Sequence, residues 1–166
     1  MKSFNIVQVD YKYCDFLRKF DDRVPYNYGK KELRPFIGIL FEVGEVEYFA
    51  PLSSTKKKHL TMEDGVDFIK IDKGKLGAIN FNNMLPLIKG SYEIIKVEGM
   101  DDINYRKLLT KQIRWLNRYY DSICHKAKRL YNSYKYDQLS FNVKRRCCNF
   151  LLLEEKCIKY NDRIVN

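Results

Sequence analysis

The hydrophobic pattern of this chain changes once, after Asp101-Asp102, and no other feature of the sequence limits the fold as strongly. Before that point, short apolar runs rich in Val, Ile, Phe and Tyr alternate with Gly, Asp, Asn and Lys, which is typical of β-strands and turns. After it, apolar residues recur every three or four positions from about residue 104 to about 134, which predicts one long amphipathic helix. We therefore expect an α+β fold in which a compact, highly twisted antiparallel sheet is flanked by helices.

The first part of the chain predicts a series of short strands. Two runs, 36–43 and 46–52, flank Gly44-Glu45, and this spacing is a strong signal for a β-hairpin. Pro86 has no backbone N–H, so the run that contains it is expected at a sheet edge, a strand start or a bulge. The other predicted strands are residues 2–9, 66–71, 76–81, 84–88 and 92–97.

Two further helices are predicted from their capping residues. Asp10 can cap a helix that runs through Asp22, and Asn149 can cap a C-terminal helix over 150–160. The stretch 131–148 has no clear hydrophobic period, so we expect either a loop or a short helix there.

Length and composition limit the class of protein. At 166 residues the chain has the size of a single domain, which we expect to span residues 1–166. It shows no secretory leader and no run of about 20 apolar residues, so we expect a soluble, cytoplasmic protein. Its five cysteines include no C-x-x-C pair, and reduced, mostly buried thiols are expected. With only His59 and His125 available, we expect no metal site and no cofactor.

The net charge of +10 comes from one segment. Residues 104–146 hold 12 Lys and Arg against two acids, whereas the rest of the chain holds 19 Lys and Arg against 19 Asp and Glu. Such clustering is typical of a nucleic-acid-binding protein, although a basic helix can also contact a membrane or an acidic protein, or simply be solvated. The residues predicted to contact nucleic acid are Lys107, Lys111, Arg114, Arg118 and Lys128 on the helix, and Lys144, Arg145 and Arg146 after it.

The segment APLSSTKKKH, residues 50–59, places three hydroxyls and three lysines directly after a predicted strand. Hydroxyls donate hydrogen bonds and lysine adds a positive charge, so this loop can hold a phosphate group. The same residue types are also typical of an ordinary solvated turn. The loop by itself therefore leaves both interpretations open.

Several fragments occur in register along nearly the whole chain: FDDRVP (20–25), FIGIL (36–40), APLSSTKKKH (50–59), LGAINFNNMLPLI (76–88), YRKLLTKQIRWL (105–116) and CNFLLLEEK (148–156). Together they resemble the toxins of type III toxin–antitoxin systems, the ToxN/AbiQ/CptN family. The resemblance implies a metal-independent, sequence-selective endoribonuclease whose sheet is related to that of the Kid and MazF toxins. It also implies a role in abortive infection, and an antitoxin RNA of tandem repeats that folds as pseudoknots and forms a closed assembly with the toxin.

The resemblance also implies an active site after the predicted hairpin. The family's hydroxyl-hydroxyl-x-Lys pattern falls on Ser53, Ser54 and Lys56, and its basic residue before the FIGIL strand falls on Arg34. In a metal-independent ribonuclease, the substrate's own 2′-hydroxyl attacks the phosphate and leaves a 2′,3′-cyclic phosphate and a 5′-hydroxyl end. We expect Lys56 to stabilise the negative charge that develops on the phosphate, and the two serines to position it.

The group that moves the proton is less closely defined. A family tyrosine in the loop before the FIGIL strand corresponds to Tyr28 or Tyr26, and Lys57 and His59 also match family positions. His59 has a suitable unperturbed pKa of about 6.5, but a lone histidine in a polar loop is usually a surface residue.

Two departures from the family concern the site itself. Relatives have Thr-Ser-Pro where this chain has Ser53-Ser54-Thr55, and lysine where it has Arg34. Both changes keep the chemistry and bear on sequence preference. The alternative hypothesis is a non-catalytic RNA-binding protein that uses the basic helix and the loop only to contact phosphates.

Overall fold

The computed structural model, which describes residues 2–26 and 34–165, contains an antiparallel sheet of seven strands with helices packed on it. The prediction of an α+β fold is confirmed. Every described strand falls within a predicted run, except that the third strand extends to Ser53. The strands are β1 (Asn5–Val9), β2 (Phe36–Val43), β3 (Val46–Ser53), β4 (Phe68–Lys70), β5 (Ala78–Asn80), β6 (Leu85–Leu87) and β7 (Tyr92–Ile94).

The strand order is β4-β5-β3-β2-β1-β7, with β6 paired to β3 beside β5. The predicted hairpin is confirmed, because Val43 pairs with Val46 around a turn in which Gly44 has a φ of 60°. At the other end of the hairpin, Leu52 N–H donates a hydrogen bond to Pro35 O over 2.9 Å. This bond places the residue before Pro35, Arg34, beside the end of β3.

Two local features distinguish this hairpin. The register of β2 against β3 shifts between Ile37 and Phe41, which marks a bulge or irregularity. The ring of Phe49 lies against the backbone of Gly38, where a Cβ would be 2.5 Å from a ring carbon. Only glycine leaves room for that contact.

Pro86 lies in β6, which pairs with β3 alone among the described strands, so its predicted edge position is confirmed.

The helices are α1 (Tyr11–Arg18), α2 (Ile103–Arg118), α3 (Tyr120–Lys135), α4 (Phe141–Arg146) and α5 (Phe150–Val165). Both predicted caps are present: Asp10 Oδ1 accepts from Lys12 N–H over 3.0 Å, and Asn149 Oδ1 accepts from Leu152 N–H over 3.2 Å. The stretch with no clear period contains the short helix α4. Within 2–26 and 34–165, no helix has the length and apolar character needed to cross a membrane.

The first helix is shorter than predicted and ends at Arg18 rather than Asp22. The cause is the carboxylate of Asp21, which is buried and accepts hydrogen bonds from Asn149 N–H over 2.6 Å and from Arg23 Nε over 2.8 Å. These bonds hold the chain in a turn that leads away from the helix axis. They also connect this turn to the start of α5.

The prediction of one long helix over 104–134 is wrong, because the segment is divided into α2 and α3 at Tyr119. Tyr119 has φ −107° and ψ 26°, which are not helical values. The two helices pack on different parts of the molecule: α2 contacts the turn Val97–Gly99, and α3 contacts β2. Asn117 Oδ1 also accepts a hydrogen bond from Phe4 N–H over 2.8 Å and ties the end of α2 to the residue before β1. The predicted basic face is therefore divided between two helices.

The core between the sheet and α3 and α5 is rich in aromatic residues. The hydroxyls of Tyr48 and Tyr131 both donate hydrogen bonds to Glu154 Oε2, over 2.5 and 2.8 Å.

The predicted burial of most thiols is confirmed, and Cys124 alone is half-buried among the five. Burial raises the pKa of the Cys148 thiol to about 12, so this thiol is protonated and unreactive at neutral pH.

Candidate active site

The end of β3 opens into a cleft of about 680 Å³, which we call the serine cleft. Its walls are the end of β3, the loop 54–60, the segment after β5 and one face of α2. Five of the predicted site residues line this cleft. They are Arg34, Ser53, Ser54, Lys56 and His59.

Ser53 is the last residue of β3 and pairs with Ala78 of β5. Its hydroxyl oxygen is buried and makes no hydrogen bond to any residue that the structure describes. The backbone beside it is tightly packed: Gly77 has φ +99°, and a Cβ there would lie 1.9 Å from Ser53 O. Only glycine therefore allows the chain to pass this close to Ser53. A buried hydroxyl without a partner is a group that a bound ligand can satisfy.

The backbone of Lys56 is held by His59. Lys56 N–H donates to His59 Nδ1 over 3.2 Å, and His59 N–H donates to Lys56 O over 2.9 Å. The loop is held a second time by Thr55, whose Oγ1 donates to Lys75 O over 2.7 Å. These bonds fix the backbone from which the Lys56 side chain extends.

The expectation that His59 is a surface residue is wrong, because only 2 % of it is exposed. The 3-10 turn Lys57–Leu60 directs it inward, where its ring centroid lies 5.7 Å from that of Phe68. Burial lowers the pKa of His59, and the ammonium groups of Lys58 and Lys56 lower it further. The imidazole is therefore neutral at pH 7.

The tautomer of His59 follows from its hydrogen bond. Because Nδ1 accepts from Lys56 N–H, the single proton of the neutral ring is on Nε2. In this form the ring can donate a hydrogen bond, but it has no free lone pair with which to take a proton. The geometry favours a positioning role for His59.

The remaining predicted catalytic residues are Arg34, which lines the serine cleft, Lys57 and Tyr28. Arg34 is half-buried, and burial lowers the pKa of its guanidinium, but arginine stays charged at neutral pH. Lys57 is exposed and does not line the serine cleft. Tyr28 lies within 27–33, outside the described residues, and Tyr26 is exposed. Among the described residues, no group of three or more His, Cys, Asp or Glu is arranged to hold a metal ion.

Part of the predicted RNA-binding surface lies on a different face of α2. Lys107, Lys111 and Arg114 line a second cleft of about 690 Å³, which we call the basic cleft. All three side chains are exposed. The apolar part of its lining includes Phe4, Ile6, Ile94, Ile95 and Val97.

The other predicted RNA-binding residues differ in their exposure and in the contacts that their side chains already make. Arg118 is exposed at the end of α2, whereas the Lys128 ammonium lies 4.9 Å from the ring centroid of Phe41. In the KRR run, Lys144 Nζ pairs with Asp137 over 2.8 Å.

Arg146 is also paired, since it donates to both carboxylate oxygens of the buried Asp67 over 3.0 and 3.3 Å. Such a bidentate pair with a buried acid is typical of a structural contact. Arg145 is exposed and pairs with no described acid, so it is the residue of this run that is most available for a phosphate.

Four amide side chains and a tyrosine in the serine cleft were not predicted from the sequence. They are Asn80, Asn82, Asn83, Gln112 and Tyr105. One signal was available: Gln112 lies between Leu109 and Leu116 on the apolar face of its helix and is 2 % exposed. A neutral polar residue on an apolar helix face needs a hydrogen-bond partner, and Gln112 Nε2 finds it in Leu76 O over 2.7 Å.

Comparison with known proteins assigns the chain to a family. A family model described as "Toxin ToxN, type III toxin-antitoxin system" matches residues 5–158. The endoribonuclease ToxN of Pectobacterium atrosepticum is 32 % identical over 153 residues, which cover 87 % of this chain and 86 % of the relative. The endoribonuclease ToxN of Bacillus thuringiensis subsp. kurstaki is 30 % identical over 158 residues, which cover 92 % of this chain and 81 % of the relative. The chain belongs to the ToxN family of type III toxins.

Solved structures agree with this assignment. One, from a study of selective toxin inhibition by a non-coding RNA pseudoknot in bacterial type III toxin–antitoxin systems, has a TM-score of 0.83 at 26 % identity and covers 96 % of this chain and 99 % of that one. Another, from a study of a processed non-coding RNA that regulates a bacterial antiviral system, has a TM-score of 0.80 at 28 % identity and covers 92 % and 96 %.

Proposed function

We propose that this protein is the endoribonuclease toxin of a type III toxin–antitoxin system and that it cleaves RNA in the serine cleft. The observation that carries the proposal is the convergence of Ser53, Ser54, Lys56 and Arg34 on one cleft. Two hydroxyls and two cations fit a phosphodiester, which needs hydrogen-bond donors and neutralisation of its charge. Membership of the ToxN family supports RNA as the substrate.

The proposed reaction is a metal-independent transesterification. The 2′-oxygen of the RNA loses its proton and forms a bond to the neighbouring phosphorus, and the bond from phosphorus to the 5′-oxygen breaks. The leaving 5′-oxygen takes up a proton, so the products are a 2′,3′-cyclic phosphate and a 5′-hydroxyl end. The protein has to align the 2′-oxygen, stabilise the charge on the pentacoordinate phosphorus and move protons.

The residues of the serine cleft divide this work. Lys56 stabilises the charge on the non-bridging oxygens, and the bond from its backbone N–H to His59 fixes the point from which its ammonium group reaches the cleft. The buried hydroxyl of Ser53 and the exposed one of Ser54 donate to the phosphate or align the 2′-hydroxyl. Arg34 holds a phosphate oxygen beside them.

Proton transfer has three candidates from the sequence, His59, Lys57 and Tyr28. The tautomer of His59 favours hydrogen-bond donation, and Lys57 lies outside the cleft lining. These two observations count against His59 and Lys57. We therefore prefer Tyr28, whose support is its match to the family's tyrosine.

The toxin is proposed to be held inactive by an antitoxin RNA of tandem repeats that folds as pseudoknots and joins it in a closed assembly. The basic cleft supports a second RNA contact, because Lys107, Lys111 and Arg114 line it apart from the serine cleft. The proposed cellular outcome is growth arrest that aborts phage infection.

Cleavage in the presence of EDTA tests this function. Purified toxin, freed from any antitoxin, is incubated with a pool of single-stranded RNA, and the new ends are identified chemically. We expect cleavage with 2′,3′-cyclic phosphate and 5′-hydroxyl ends. RNA binding without cleavage at any toxin concentration would instead support the non-catalytic RNA-binding protein.

A further inference from the structure

The serine cleft contains a second group of polar side chains to which the proposed cleavage assigns no role. Within the described residues, two buried side-chain polar atoms have no hydrogen-bond partner, and both belong to residues of this cleft: Ser53 Oγ and Asn82 Oδ1. Leaving a buried acceptor unpaired is costly, so such atoms usually mark the place of a ligand or water. The proposed contact with the phosphate gives the Ser53 hydroxyl a partner, but it gives none to the amide oxygen of Asn82.

Asn82 is held rigidly by its backbone. Its N–H donates to Asp67 O over 3.1 Å, and its carbonyl oxygen accepts from Cys148 N–H over 2.8 Å. Asp67 in turn pairs with Arg146, which connects the segment to α4. Asn82 therefore lines the cleft from a fixed backbone position.

Gln112 supplies a second acceptor whose orientation is fixed. Its side chain lines the same cleft and is 2 % exposed. Because Nε2 donates to Leu76 O over 2.7 Å, the amide cannot be reversed without losing that bond. The orientation leaves Oε1 as the amide atom that is available to a ligand in the cleft.

Two amide oxygens in one cleft recognise hydrogen-bond donors. Phosphate oxygens offer no donor and a ribose hydroxyl offers one, whereas the exocyclic amino group of a nucleobase offers two N–H groups, one for each acceptor. The cleft also has apolar lining at Pro51, Leu52 and Leu108, against which a base can lie. Its volume of about 680 Å³ leaves room for a base beside the phosphate.

We propose that Asn82 and Gln112 are specificity-determining residues that accept hydrogen bonds from the exocyclic amino group of a base next to the cleaved phosphate. This inference rests on the proposed function. A base such as uracil has a keto oxygen where the amino group would be. That oxygen is itself an acceptor, so the two amide oxygens would have no donor to bond. A site built to bond a polar group discriminates strongly against an analogue that lacks it.

The test begins with the wild-type protein and needs no variant. The cleavage sites in a randomised single-stranded RNA pool give the base preferred on each side of the cut. A defined RNA is then made with that base and with its analogue lacking the amino group: purine riboside for adenine, inosine for guanine or pyrimidin-2-one riboside for cytosine. We expect the analogue to be cleaved about 10- to 100-fold more slowly.

Two variants then assign the effect to residues. Gln112→Met and Asn82→Leu keep side-chain volume but remove the acceptors, and Gln138→Met, an exposed glutamine, is the matched control. We expect both variants to cleave the amino-bearing RNA and its analogue at rates within about threefold of each other, while Gln138→Met keeps the wild-type ratio.

The outcomes separate this inference from the proposed function. No cleavage of any RNA by the wild type would overturn the function itself. Cleavage that is indifferent to the amino group, or that prefers uracil on both sides of the cut, would overturn only the recognition by Asn82 and Gln112. If the well-folded variants Gln112→Met and Asn82→Leu kept the wild-type preference for the amino group, other residues would be responsible for that preference. This result would also overturn the inference.

Discussion

The two clefts on the two faces of α2 differ in how their polar groups are held. In the serine cleft, the Lys56 backbone is bonded to His59 and the Gln112 amide is bonded to Leu76. In the basic cleft, Lys107, Lys111 and Arg114 are exposed. A held backbone and a bonded amide suit chemistry, which requires alignment within a fraction of an ångström, whereas exposed cations suit sequence-independent contact with phosphates. One helix can therefore serve a catalytic cleft and an RNA-binding cleft at once.

The largest effect is expected from Lys56→Ala. Removing a cation that stabilises the transition state should lower the cleavage rate about 100- to 1000-fold, while RNA affinity changes little because the basic cleft is intact. Single-turnover cleavage and a binding titration measure the two effects. Lys89→Ala removes the same charge at an exposed turn and should leave both at wild-type values. A fully active Lys56→Ala protein would show that another cation does this work.

Gly77→Ala tests the rigidity of the serine cleft. The residue has φ +99°, and the added Cβ would lie 1.9 Å from Ser53 O. We expect a loss of about 1–3 kcal/mol in the free energy of unfolding, and slower cleavage because Ser53 shifts. Urea unfolding measures the first effect. Gly99→Ala, where a Cβ meets nothing within 4 Å, is the control. Equal stability of the two variants would mean that the end of β3 adapts easily.

Variants of the basic cleft should lose RNA affinity and keep the cleavage rate, which is the opposite of the result expected for Lys56→Ala. Replacing Lys111 and Arg114 with Ala together should weaken RNA binding about 10-fold and reduce the slope of log affinity against log salt by about 1.4 for single-stranded RNA. Cleavage at saturating RNA should be unchanged. The control changes Lys12 and Lys19 of the α1 region, which are exposed, to Ala. An unaltered salt slope would identify the basic cleft as an ordinary solvated surface.

The smallest effect concerns pH. Since burial lowers the pKa of His59, the unfolded chain binds its proton more readily than the folded one. The resulting stability is present above the unfolded pKa of about 6.5 and is lost as pH falls below it. The wild type should therefore lose more free energy of unfolding between pH 7.5 and pH 5 than His59→Asn, which keeps an acceptor but does not titrate there. Parallel losses would contradict the buried, neutral imidazole.

Local patterns predicted the parts of the fold that depend on neighbouring residues. The hairpin around Gly44 and the caps at Asp10 and Asn149 are confirmed because their causes lie within a few residues of sequence. The division of the long helix at Tyr119 was not predictable, since no proline or glycine marks it and each half packs on a different partner.

For the candidate site, too, the sequence predicted only the features that depend on neighbouring residues. The resemblance placed Ser53, Ser54 and Lys56 in one loop, and the structure puts their segment at the edge of a cleft. The burial of His59 depends on its packing against Phe68, and the approach of Gln112 depends on contact between α2 and the residue Leu76. Such contacts join distant parts of the chain, so a periodic pattern does not contain them.

The most direct test of the proposed chemistry is made on the substrate. An RNA that the wild-type toxin cleaves at one known bond is synthesised with a single 2′-deoxynucleotide on the 5′ side of that bond, and a control RNA carries the same change elsewhere. If the 2′-oxygen is the nucleophile, the first RNA resists cleavage at that bond and the control is cut at the normal rate. Cleavage of the deoxy-substituted bond at an unchanged rate would contradict the account.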